Sequence, residues 1–226
     1  MQNNKHNPPA GTFSLDEELS YQNFLVREDG VSHINVYSRG KTTLGQRLTH
    51  FAHIPFEHPY YGDFVSREGF WHYLRNGCQH EALRTLSGMA AKNLGRETKP
   101  QDTQYLPHFR DEIMGSTYQT IIQNEHLKAE FLNSTLPFTH YYVMRDQETG
   151  SMLVKPGSGA EWIVNGLEVM RTEMKAGQIP QVWERCERLY KQLSQSQKNK
   201  THQVLDFSAH SAQRPVRDTM SRSEEH

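Results

Sequence analysis

The sequence predicts a mainly helical α+β domain carrying one small antiparallel sheet. Three observations predict it. Apolar side chains recur with helical spacing over 66–77, 80–95, 109–134, 159–176 and 180–193. Period-two alternation is confined to 31–37 and to a hairpin of 138–145 with 151–155. Hydrophobic residues are only 35% of the 226, and the deficit lies at the ends, so the folded domain is shorter than the chain.

The elements follow in order. Residues 1–30 read as a flexible N-terminal arm: Asn-rich to residue 12 with Pro8-Pro9, then a short amphipathic run through Phe13, Leu15, Leu19, Phe24 and Leu25. Ile34 and Val36 mark a short strand. Ser66 caps the helix over 66–77 and Gly77 ends it. The helix over 80–95 carries Leu83, Leu86, Ala90 and Leu94 as its inward stripe, and Gly95 closes it. Residues 109–134 make two helices broken near Gly115 or Asn124. Gln147-Glu148-Thr149-Gly150 turns the hairpin. Ser158-x-x-Glu161 is a capping box opening the helix over 159–176. Pro180 starts the last helix, with Val182, Cys186, Leu189 and Leu193 inward. The domain spans 31–193, and 194–226 is a polar tail too poor in apolar side chains to offset its ordering entropy.

Composition narrows the function classes. Lys and Arg number 25 against 26 for Asp and Glu, which excludes a global basic field for nucleic acid and leaves room for a local patch. No stretch approaches the ~18 apolar residues of a membrane span. Met1-Gln2-Asn3-Asn4-Lys5 opens no apolar leader, and the two cysteines, Cys78 and Cys186, suit a reducing compartment; the expectation is a cytoplasmic protein without membrane contact. Thirteen histidines include His50, His53 and His58, but no metal-ligand spacing frames them, so neither a metal nor a cofactor is expected.

Several segments carry chemistry. Gly40-Lys41-Thr42 invites a phosphate-loop reading, but that loop needs a glycine five residues before Gly40, where Asn35 stands. Ser38-Arg39-Gly40-Lys41 retains the option of contacting a phosphate through charge and backbone N–H groups; a solvated turn is the alternative. Glu68 falls in a first helical turn, where a carboxylate favours the helix dipole. Trp71, three residues on, shares its face; an acid beside an aromatic wall also suits a nucleotide pocket, and both readings stay open. Lys92 points away from the apolar stripe, near small residues Gly88 and Ala91. A solvated lysine is the simple reading, and a nucleophile or base is the other. Alternation puts His140 and Tyr142 on one face of their strand and Tyr141 and Val143 on the other.

In order, Tyr37-Ser38-Arg39-Gly40, Leu48-Thr49-His50-Phe51, Asp63 through Trp71, Ala91-Lys92-Asn93-Leu94-Gly95-Arg96, Phe109 through Met114, and Leu136 through Tyr142 resemble one family. The chain is similar over about residues 33–170 to the NADAR (YbiA-like) superfamily, and more closely to its branch in large tailed bacteriophages. Two positions depart: better-known members have Leu-Ser-Asn-Phe for Leu48-Thr49-His50-Phe51, and Glu-His for Glu68-Gly69.

The resemblance implies a mostly helical fold and an N-glycosidase that splits a ribose C1–nitrogen bond. Family members act on riboflavin-pathway intermediates or remove ADP-ribose from guanine in nucleic acid. For a phage protein, working in the host cytoplasm, the second activity implies reversal of a DNA ADP-ribosylating toxin. The substrate expected is therefore ADP-ribosylated nucleic acid or an ADP-ribose-containing small molecule. A free nucleotide-like metabolite as substrate, or a non-catalytic ADP-ribose-binding module, are the alternatives. The resemblance assigns catalysis to Lys92 and Glu68. For such a substrate Arg39, Lys41 and Arg96 are candidates for the pyrophosphate, with Ser38 and Gly40 beside them, and Trp71, Tyr141 and Tyr142 are candidates for base stacking. His50, Phe51 and His140 complete the expected ligand-binding set.

Overall fold

The computed structural model describes residues 19–98, 108–157 and 159–195. The protein is mainly helical, with small strand pairs. The chain divides into two compact units, 1–184 and 185–226.

The first unit opens with a two-residue hairpin, β1 (Ser20–Tyr21) and β2 (Phe24–Leu25). This part of the expected arm is docked. Tyr21 packs on Tyr141 with ring centroids 5.2 Å apart, and Phe24 on His33 at 4.9 Å. Residues 1–18 of the arm lie outside the described residues, as does the tail from 196.

The expected strand at 31–37 is β3 (Ile34–Asn35), and its partner is not a hairpin neighbour. It pairs in parallel with β6 (Phe138–Thr139), Ile34 opposite Phe138. The Asn35 side chain extends that pairing: its carbonyl oxygen accepts the Tyr141 N–H, and its amide donates to the Tyr141 carbonyl, both at 3.1 Å. The hairpin itself is β7 (Tyr141–Arg145) with β8 (Met152–Pro156), antiparallel, Val143 opposite Val154. A further antiparallel pair, β4 (Phe56–His58) and β5 (Gly62–Phe64), precedes the main helices.

Thr42 caps α1 (Thr43–Arg47), accepting the Gly45 N–H. α2 (Arg67–Arg75) starts at its Ser66 cap and stops at Asn76, with Gly77 in the left-handed region at φ +66°. The expected helix over 80–95 is instead a 3-10 turn, Glu81–Thr85, followed by α3 (Gly88–Glu97). The break re-aims the apolar face. Leu83 is buried, but Ala91 and Gly95 face inward while Ala90 is exposed. The helical break at 109–134 falls at Asn124, whose side chain caps α5 (Glu125–Asn133); Gly115 stays inside α4 (Phe109–Ile122). α6 (Glu161–Lys175) has Ala160 as its N-cap residue, which offers no side-chain acceptor; Ser158 of the expected capping box lies outside the described residues.

Two apolar clusters result. One joins Val36, Leu48, Met114, Phe131 and Leu167; the other joins Phe56, Phe64, Phe70, Leu83 and Ile113. A last helix, α7 (181–195), follows Pro180. Its buried residues are Trp183, Cys186 and Tyr190, whereas Leu193, expected inward, is exposed. Among the described residues no helix is long and apolar enough to cross a membrane.

Candidate functional site

The site is built on the start of α2. The Ser66 hydroxyl accepts the Gly69 N–H at 3.0 Å and donates to the Leu86 carbonyl at 2.7 Å. Helix N-termini leave backbone donors without partners. Here the N–H of Glu68 donates to the carbonyl of His50 at 2.9 Å. That bond ties the buried acid to the His50-Phe51 dipeptide. One turn on, His72 Nε2 lies 3.3 Å from Glu68 Oε1.

His50 is held against Trp71, ring centroids 5.5 Å apart. Burial first, then the charges of Arg67 and His140, push its pKa down to about 3, so the imidazole is neutral. Its Nε2 is buried and has no hydrogen-bond partner. Such an atom costs free energy unless a ligand satisfies it. The tryptophan meets Phe109 edge-on at 4.8 Å and runs nearly parallel to Trp162 at 6.1 Å; the Arg110 guanidinium lies over Trp162 at 5.5 Å.

α3 brings up the amine. Lys92 is half-buried, and its Nζ lies 5.2 Å from the centre of the Phe51 ring, within cation–π range. Glu68 and Lys92, far apart in sequence, therefore both engage the same dipeptide, one through its His50 carbonyl and the other through the Phe51 ring.

β7 closes the group. His140 Nδ1 donates to the Val36 carbonyl at 2.6 Å, because a carbonyl oxygen only accepts. Burial keeps His140 neutral by lowering its pKa. Its Nε2 is therefore an acceptor, and the Tyr142 hydroxyl donates to it at 3.1 Å. Tyr142 packs edge-on against Tyr37 at 5.2 Å. Its phenol pKa is raised by burial, then by Tyr37 and by the charge of Glu68, which ties this end of the group to the acid electrostatically.

The structure thus gathers His50, Phe51, Glu68, Trp71, Lys92, His140 and Tyr142. Tyr141 turns the other way. It is buried, shares a 2.7 Å hydrogen bond with His33 Nε2, and is unavailable for stacking. The Ser38–Lys41 turn sits beside Tyr37, with Ser38 and Arg39 exposed. Two of its backbone donors are already engaged. The Gly40 N–H donates to the Tyr37 carbonyl at 2.8 Å. The Lys41 N–H donates to Asp29 Oδ2 at 2.7 Å, so an internal carboxylate occupies the nest offered to a phosphate. Lys41 Nζ donates to the Arg27 carbonyl at 2.6 Å. Arg96 is exposed in the last turn of α3. Among the described residues no group of three metal-ligating side chains comes together.

Sequence reasoning missed four neighbours. His72 was legible as the i+4 partner of Glu68. Tyr37, Glu161 and Arg67 were not. Glu161 acts electrostatically on His140 across the fold. Arg67 is buried, its pKa brought down to about 10, and donates to the Arg47 and Thr49 carbonyls at 2.9 and 3.0 Å.

No family model, curated protein or solved structure matches the chain.

Proposed function

We propose that the protein is an N-glycosidase that hydrolyses a ribose C1–N bond and releases ADP-ribose from modified guanine in nucleic acid, as a phage defence against a DNA ADP-ribosylating toxin. The observation that carries this reading is that the Glu68 backbone N–H and the Lys92 amine both meet His50-Phe51, which brings the residue bearing the acid and the amine to one dipeptide. The family resemblance supplies the chemistry and the target.

In this reading the Lys92 amine attacks the anomeric carbon. The C1–N bond breaks, guanine leaves with the electron pair and takes up a proton, and the opened ribose is held as a Schiff base. Water hydrolyses the Schiff base, releasing ADP-ribose and restoring the amine. The Glu68 carboxylate stabilises positive charge developing at C1 and takes a proton from the attacking water. Trp71 forms an aromatic wall, and Tyr142, whose proton is committed to His140, presents oxygen lone pairs to a ligand donor. In a duplex the modified base must first leave the stack.

A free ADP-ribose conjugate is the second reading. It is favoured by the formal net charge of −1, which offers a nucleic acid no global attraction.

The test is release of ADP-ribose from an oligonucleotide carrying ADP-ribosyl-guanine, followed by mass, with Lys92→Ala and Glu68→Gln alongside the wild type. Release by the wild type and its loss in both variants is expected. Release from a free ADP-ribosyl nucleoside alone selects the second reading. Tight ADP-ribose binding with no turnover of either substrate makes the protein a sequestering module.

A further inference from the structure

Resting on Glu68 as the carboxylate of the proposed site, we propose that His72 is its positioning residue. It carries its proton on Nε2, which faces the Glu68 carboxylate at 3.3 Å.

Geometry assigns the tautomer. His72 is buried, with Nε2 3.3 Å from Glu68 Oε1, and its Nδ1 is buried with no partner. A proton on Nδ1 would bury an unpaired donor. It would also set two acceptors, the Nε2 lone pair and the carboxylate, against each other at 3.3 Å. A proton on Nε2 removes both penalties, and the atom left unpaired is then an acceptor, which proteins bury more readily than an orphaned N–H.

Packing fixes the ring. A Cβ at Gly95 would meet His72 Cγ at 2.1 Å and Nδ1 at 2.2 Å, so the imidazole occupies the space a side chain on α3 would need. Gly95 lies three residues beyond Lys92, on the adjoining turn of the same helix. The ring that orients the acid is therefore seated against the helix that carries the amine. A shift of His72 moves Glu68 relative to Lys92 without removing either group. His72 touches no reacting atom, so its effect falls on geometry.

The experiment combines kinetics with imidazole 15N spectra of the full chain. His72→Leu removes the donor at similar volume, and His72→Gln restores an N–H near the Nε2 position. With ADP-ribosyl-guanine oligonucleotide, His72→Leu is expected to lower kcat about 100-fold, as for a misplaced catalytic group, with KM changed less than about twofold. His72→Gln is expected to recover most of that loss, and His72→Leu added to Glu68→Gln to cost nothing more. The wild-type spectrum is expected to show His72 protonated on Nε2, with that resonance shifted by Glu68→Gln.

Multiplying losses in the double variant, wild-type kcat in His72→Leu, or a proton on Nδ1 overturns the proposal. If the wild type turns over no ADP-ribosyl substrate, the functional reading fails, and the response of the Nε2 resonance to Glu68→Gln still decides the pairing. If His72→Leu does not fold, His72→Gln and the wild-type spectrum carry the decision.

Discussion

Gly95 and His72 share one volume: a Cβ on the glycine would lie 2.1 Å from Cγ of the imidazole. It would also lie 2.5 Å from the His72 Cβ, which no side-chain rotation withdraws. Gly95→Ala is expected to destabilise the fold by about 1–3 kcal/mol through overpacking, read as a lower urea midpoint. An unchanged midpoint would mean that the two helices are free to separate.

Gly69 is about as tight, and its neighbour is unyielding. A Cβ there would lie 2.2 Å from the Leu83 carbonyl oxygen, which is backbone. A histidine after Glu68 therefore has no room in this chain. Gly69→Ala is expected at or beyond the upper end of the about 1–3 kcal/mol range for overpacking, and Gly69→His to give no folded protein. Thermal unfolding of both variants checks this.

Asp29 staples the turn that precedes α1. Its buried carboxylate accepts the Asn35 N–H at 2.9 Å and the Lys41 N–H at 2.7 Å. Asp29→Ala leaves both donors without an acceptor, at about 1–3 kcal/mol for each that stays buried. The expected outcome is a clear drop in Tm, with Asp29→Asn losing less because its amide oxygen still accepts.

Tyr142 is a proposed ligand contact whose hydroxyl the fold does not need. Its hydroxyl bonds His140 near the surface, and its ring is partly exposed. Tyr142→Phe is expected to change stability by less than about 1 kcal/mol. It is expected to weaken ADP-ribose binding about tenfold, the equivalent of one lost hydrogen bond. Calorimetry beside an unfolding curve separates the two effects, and unchanged affinity removes Tyr142 from the site.

Acid should destabilise this protein earlier than its carboxylates alone would predict. Burial holds His50 and His58 neutral, each with its pKa lowered to about 3, and lowers those of His33 and His140 as well. His58 Nδ1 also accepts the Tyr60 and Tyr61 N–H groups at 3.3 and 3.2 Å, a role that needs its lone pair. In the unfolded chain these rings protonate near pH 6.5. Between that pH and 3 the unfolded state binds protons that the folded state refuses. Stability is full above about pH 6.5 and falls as pH falls through the window, by about 1.4 kcal/mol per pH unit for each of His50 and His58. Urea midpoints at pH 7 and pH 5 test this, and an equal or higher midpoint at pH 5 contradicts it.

Much of the local structure was legible because its causes are local. Ser66 before Arg67 and Glu68 is a cap that any reader of helix signals finds, and Asn124 and Gly77 act through their own backbone neighbourhoods. The helix at 80–95 was misread because the Leu83 and Leu86 carbonyls close over Gly69, a constraint set from α2. α6 starts at Glu161, which leaves that acid at the helix start and within electrostatic reach of His140.

By itself the sequence determined the helical character, the acid in a first helical turn with an aromatic residue three positions on, and the alternation that separates Tyr141 from Tyr142. Those properties follow from spacing along one element. Only the tertiary structure decided which face of β7 is buried, that the Glu68 N–H and the Lys92 amine both meet His50-Phe51, and that Asp29 accepts the Lys41 N–H. Each of those outcomes depends on groups brought together from distant parts of the chain. Burial and hydrogen-bond satisfaction, which no residue carries in its own spacing, set which of them meet.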